Sequence, residues 1–162
     1  MELVEGIAHI ETVEEFVTHL NAIETEYETT VQAFDARYVV DRTHLRRALS
    51  LADRAIEREE NVARQRSVET LLYAAGRRQI DQALEIGVGT GATPTVVLVD
   101  GGKEHAAADA VRELLDPEPT LGNYDEARVR SYFDITDREL AATDATIPEL
   151  VRERTVLLAV EK

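Results

Sequence analysis

Residues Ala83 to Pro94, ALEIGVGTGATP, set Gly87, Gly89 and Gly91 at alternate positions behind Glu85. Glu-x-Gly-x-Gly-x-Gly is the spacing with which a methyltransferase lays a Cβ-free backbone against S-adenosylmethionine. Such a loop works only where it leaves a strand and opens a helix, so that helix amides face the ligand. Here the order is reversed. Val68, Leu71, Leu72 and Ala75 recur at helical spacing before the loop, and Ile80, Ala83 and Leu84 continue the pattern. After it come Pro94 and the β-branched run Thr95–Val99, bounded by Asp100-Gly101-Gly102, which predicts a buried strand and a turn. No helix fits between Gly91 and Thr95. The segment reads as a helix-to-strand connection whose glycines end the helix, and the methyltransferase stands only as the lesser alternative.

Other chemistry is sparse. Carboxylates are abundant, but in so acidic a chain pairs at helical spacing describe solvated faces. Gly-x-Ser-x-Gly, a phosphate-binding Gly-Lys-Ser/Thr and paired histidines are all missing from the sequence. Asp100–Lys103, DGGK, lacks the rest of a phosphate loop and reads as a strand-to-helix turn. There is no cysteine, and His9, His19, His44 and His105 are scattered without metal-ligand spacing. The expectation is a protein that is not an enzyme and carries no cofactor and no metal. No apolar run approaches a membrane span and the acidic opening MELVEG does not read as a signal peptide, so a cytoplasmic location is expected.

Charge is more informative. The 162 residues hold 32 acids against 18 bases, and only Lys103 and Lys162 are lysines. This acidic, lysine-poor composition resembles the proteins of salt-accumulating archaea, in which carboxylates stay hydrated and their mutual repulsion is screened. The distribution is uneven. Residues 36–80 contain ten arginines and six acids, a local +4, while the rest of the chain carries eight bases and 26 acids, a local −18. Some of these arginines are expected to pair along helices, Asp53 with Arg54 and Glu57 with Arg58 fitting that reading. Arg42, Arg46, Arg47, Arg77 and Arg78 have fewer acidic neighbours in sequence.

The elements that must position these residues follow from periodicity and caps. ELVEGIAHI predicts an opening strand, and Thr12 with Glu15 predicts a capping box on a helix over Val13–Tyr27. Thr30–Val39 reads as a second strand. Asp41 or Thr43 caps a long amphipathic helix to about Glu60, with Leu45, Ala48, Leu49, Ala52 and Ile56 on its apolar face. Helices over Ser67–Ala75 and Arg77–Ile86 are separated at Gly76. The strand Thr95–Val99 is followed by a helix over Lys103–Leu115, ended by DPEP. Helical segments around Asp125–Phe133, in TDRELAAT and in IPELVRERT follow, the last opened by Pro148. VLLAVEK is expected to close the chain as a strand. Together these predict one α+β (mixed α/β) domain over 1–162, a small and mostly antiparallel sheet packed with several helices.

The segment Glu69–Gly87, ETLLYAAGRRQIDQALEIG, resembles the signature of the small kinase-binding subunit of the KEOPS complex (the TPRKB family). Ala74, Ala75, Gly76, Arg77 or Arg78, Gln79, Ile80 and Ala83 carry the match, and Gln32–Leu49, with His44 opening a helix, carries a second. The glycine-rich GVGTGATP departs from the pattern as a variable loop. The resemblance implies a non-catalytic subunit of the machinery that makes threonylcarbamoyl-adenosine in tRNA. It would dock on a small atypical kinase/ATPase and hold tRNA by its single-stranded 3′ CCA end. The residues expected at the RNA are His44, Arg46, Arg47, Tyr73, Gly76, Arg77, Arg78, Gln79 and Ile80. Arginines would meet phosphates, flat or apolar side chains would support unstacked bases, and Gly76 would let the backbone come close. Val129, Tyr132, Phe133, Leu150 and Val151 are expected to form an apolar anchor for the kinase. The rival is a protein adaptor that makes no RNA contact.

Overall fold

A computed structural model describes residues 1–161. Strand β1 (Glu2–Ile10) leads into helix α1 (Val13–Tyr27), where the Thr12 side chain accepts a hydrogen bond from the Glu15 amide as the capping residue. Strand β2 (Thr30–Asp35) is shorter than its apolar pattern. The Asp35 carboxylate accepts from the Arg37 amide and guanidinium, turning Ala36–Tyr38 into a 3₁₀ helix. Helices α2 (Arg42–Glu57, capped by Asp41) and α3 (Arg66–Ala75) follow, then a short α4 (Ile80–Ala83) continued as a 3₁₀ turn over Leu84–Ile86.

Strand β3 (Gly91–Asp100) begins at the last glycine of the GVGTG stretch rather than at Thr95, because pairing with β1 extends to Ile10 opposite Gly91. Helix, loop and strand thus follow in the order that a cofactor-binding glycine loop does not have. Helix α5 (Glu104–Arg112) precedes β4 (Asp116–Pro117), a two-residue strand inside the expected DPEP loop. Gly6 makes that pairing possible, since a Cβ there would lie 2.6 Å from the Asp116 carbonyl oxygen. Helices α6 (Glu126–Tyr132) and α7 (Asp137–Ala142) lead to α8 (Ile147–Glu161).

All four strands are antiparallel, in the order β2-β3-β1-β4. Both faces of β3 are covered, which explains its unbroken apolar run. Val97 and Val99 pack with α1 and α5, through Phe16, Leu20 and Val111. Val96 and Leu98 point the other way, into a larger core with α2, α3, α6 and α8. The expected α+β architecture is present, as a single domain.

One expected element is overturned. The segment beginning VLLAV is not a strand but the second half of α8, with Lys162 outside the described residues. Val151, Thr155 and Leu158, at spacings of four and three, are buried beneath this helix. Packing at helical period therefore outweighs the β-propensity of a branched run. Among the described residues no helix is long and apolar enough to cross a membrane.

Candidate nucleic-acid interface

The Ala75–Ile80 segment is shaped by how α3 ends. Gly76 has φ +64°, its amide donates to the Tyr73 carbonyl, and the Arg77 amide donates to the Leu72 carbonyl. This is a Schellman termination, with glycine in the left-handed position. It stops the helix that the sequence pattern would have resumed at Arg77, leaving Arg77, Arg78 and Gln79 as a turn before α4. A Cβ on Gly76 would sit 3.3 Å from the Arg154 carbonyl of α8. The close approach that glycine permits in this structure is to the protein's own helix.

His44 supports the same turn from below. It is fully buried; Nε2 lies 2.8 Å from the Ala74 carbonyl and Nδ1 accepts from the Val40 amide at 3.4 Å. That arrangement requires a neutral ring with its proton on Nε2, and burial holds the imidazole below its ordinary pKa. His44 therefore caps one of the orphan carbonyls of α3. It is not a surface for bases. Tyr73 is likewise core, 2% exposed.

The apolar anchor expected for a partner is also interior. Val129, Tyr132, Phe133, Leu150 and Val151 are all buried in the larger core. Their spacing matched an interface because a core helix and an interface helix carry the same stripe. Tyr132 has a specific task there: its hydroxyl donates to the Gln82 carbonyl at 2.8 Å, tying α4 to α6. Burial raises that phenol to about 12, so it remains a donor. The Arg77 guanidinium lies 4.5 Å over the Tyr132 ring and donates to the Tyr132 carbonyl at 2.5 Å. Phe133 meets both Tyr132 and His44 edge-on, completing an aromatic floor beneath the turn.

Above that floor the exposed groups converge. Arg78, Gln79 and Ile80 are exposed, Ile80 by 43%, and Leu84 one turn further on by 57%. Leu84 borders an apolar groove of about 220 Å³ shared with Val13, Val17, Val68 and Val88. Gln79 accepts from the Gln82 side-chain amide at 3.2 Å, leaving its own amide hydrogens free.

The arginines sort sharply. Nine of the sixteen are committed: Arg37, Arg66, Arg112, Arg128, Arg130, Arg152 and Arg154 to carboxylates, Arg42 and Arg77 to carbonyls. Among the described residues Arg46, Arg47, Arg54, Arg58, Arg64, Arg78 and Arg138 have no such bond. Six of those seven fall within residues 46–78. The pairs expected within α2 do not form. Asp53 turns instead to Arg66, at 2.6 Å, because adjacent residues on a helix point away from each other.

Among the described residues no three histidine or acidic side chains converge as a metal site. The fold is an open four-stranded antiparallel sheet covered by helices, with Arg78, Gln79 and Ile80 exposed on the turn after α3. Residues 7–158 match the model of the family described as kinase binding protein CGI-121, and the chain belongs to that family, the KEOPS kinase-binding subunit. The family is non-catalytic. A comparison with curated proteins gave no match.

Proposed function

We propose that this chain brings tRNA to the kinase it serves, holding the unpaired 3′ CCA end at the turn formed by Arg77, Arg78, Gln79 and Ile80. The observation that carries this reading is an exposed turn that sets Arg78, which has no carboxylate partner among the described residues, beside the apolar Ile80 in a chain of net charge −14, although carboxylates are abundant elsewhere on the surface. Arg78 and Arg46 supply phosphate contacts, with Arg77 held rigid by Tyr132. Ile80 and Leu84 offer an apolar platform for unstacked bases, and the free Gln79 amide suits a cytosine edge. Gly76, His44 and Tyr73 contribute by building the turn.

The kinase surface, in this reading, lies on the outer face of α8, where Val156, Leu157 and Val160 are 37%, 41% and 76% exposed. A family of kinase-binding proteins needs such an apolar patch, and the five buried residues first considered do not provide it.

A salt-titrated mobility assay with intact and CCA-less tRNA tests the RNA half. Binding should fall sharply without CCA, and Arg78→Glu and Ile80→Glu should weaken it while leaving the melting temperature unchanged. Equal affinity for the two RNAs would make the chain a protein adaptor only.

A further inference from the structure

We propose that Arg47 and Arg54 on the exposed face of α2, continued by Arg58 at its C-cap, form a stripe that seats the phosphate backbone of the duplex arm adjoining the 3′ end held at the turn. This rests on the reading above for the position of the RNA, but on different residues. At spacings of seven and four the three guanidinium-bearing positions fall within about 40° of one another around the helix and span about 16 Å along it. The opposite side of α2 is core, through Leu45, Ala48, Leu49 and Ala52.

Neither acid of α2 pairs directly with the stripe: Asp53 is bound to Arg66, and Glu57 makes no ion pair among the described residues. The stripe begins beside the turn, since His44 near the start of α2 bonds to Ala74 near the end of α3. It runs away from the turn, because Asp53 in the second half of α2 reaches Arg66, the first residue of α3.

A duplex strand carries a phosphate about every 3.4 Å of axis, so a line of about 16 Å passes roughly five of them. Guanidinium forks match phosphate oxygens in pairs. Between Arg47 and Arg54 the stripe is bordered by the exposed Ser50 on one side and by the buried Leu51 on the other. No exposed apolar side chain interrupts the stripe, whereas a protein interface of this extent would centre on apolar anchors with arginine at the rim.

The test compares wild-type protein with the triple variant R47Q/R54Q/R58Q, each titrated with salt against whole tRNA and against a short single-stranded RNA ending in CCA. The logarithmic salt dependence for whole tRNA should become shallower by about 2 to 3, the amount for three lost phosphate contacts. Binding of the short strand should change less than about twofold, and R47K/R54K/R58K, which keeps the charges, should retain the wild-type slope. An unchanged slope in the glutamine variant overturns the proposal. So does loss of kinase co-purification with RNA binding intact, which would assign the stripe to an acidic protein surface. Wild-type binding that ignores CCA, yet loses slope in the variant, would instead overturn the 3′-end reading and leave this one standing. Should the triple variant melt early, the single variants must each lose about 0.9 of slope.

Discussion

His44 shows how a buried residue can hold a surface turn in place. Its ring satisfies the Val40 amide on one side and the Ala74 carbonyl on the other, inside the core. His44→Ala strands both groups, and a loss of about 2–4 kcal/mol is expected, read as a lower urea midpoint. The acid response has a definite sign. Burial, the first cause, lowers the folded pKa below the ordinary value; the Ala74 bond and Asp41 oppose it, and Arg152 reinforces it. The unfolded chain therefore binds the proton first as pH falls. The stabilising contribution is full above about pH 6.5 and is lost as pH drops from there towards the folded value. The wild-type stability difference from His44→Gln should shrink across that interval. A difference that stays constant with pH would show the ring already charged in the folded state.

At the scale of elements, α8 carries apolar residues on both a buried and an exposed side. Leu150, Val151 and Leu158 face inward, while Val156, Leu157 and Val160 face outward. Its guanidiniums are fully employed: Arg152 pairs with Asp41 at the start of α2, and Arg154 holds Glu139 at 2.6 Å and the Phe133 carbonyl at 3.0 Å. Charge placed outward should leave the fold intact. The double variant V156D/L157D should melt within a few degrees of wild type yet fail to co-purify with the kinase. Phe133→Asp, a buried charge at the aromatic floor, should lower stability by several kcal/mol and remove kinase and RNA binding together. Retention of kinase by the α8 variant would move the docking surface elsewhere.

For the whole molecule, the charge pattern sets the response to salt. A net charge of −14 on 162 residues destabilises the compact state by self-repulsion, and screening relieves it. The melting temperature should therefore rise with added potassium chloride, while affinity for RNA falls as phosphate contacts weaken. The opposed trends are a joint prediction, checked by melting and binding titrations over one salt series. A melting temperature that falls with salt would mean that paired charges such as Arg66 with Asp53 and Asp100 outweigh the net repulsion.

Local patterns in the sequence determined the helix caps at Thr12 and Asp41, the buried run of β3, the reversed order around the glycine loop and the basic island of residues 36–80. Each depends on neighbours along the chain or on composition, so it is visible without a fold. The Arg-Gln-Ile block identified the family for the same reason. What periodicity could not separate was a stripe buried in the chain's own core from one left exposed. Val129 and Phe133 belong to the first kind and Val156 and Leu157 to the second, although all four are apolar at helical spacing. Nor could it decide which arginines are spent, because Asp53 meets Arg66 thirteen residues away and Arg77 meets Tyr132 fifty-five away. The end of the chain became helix rather than strand because its apolar residues found α2 and α3. Burial and ion pairing depend on which distant elements meet, and only the tertiary structure brings them together.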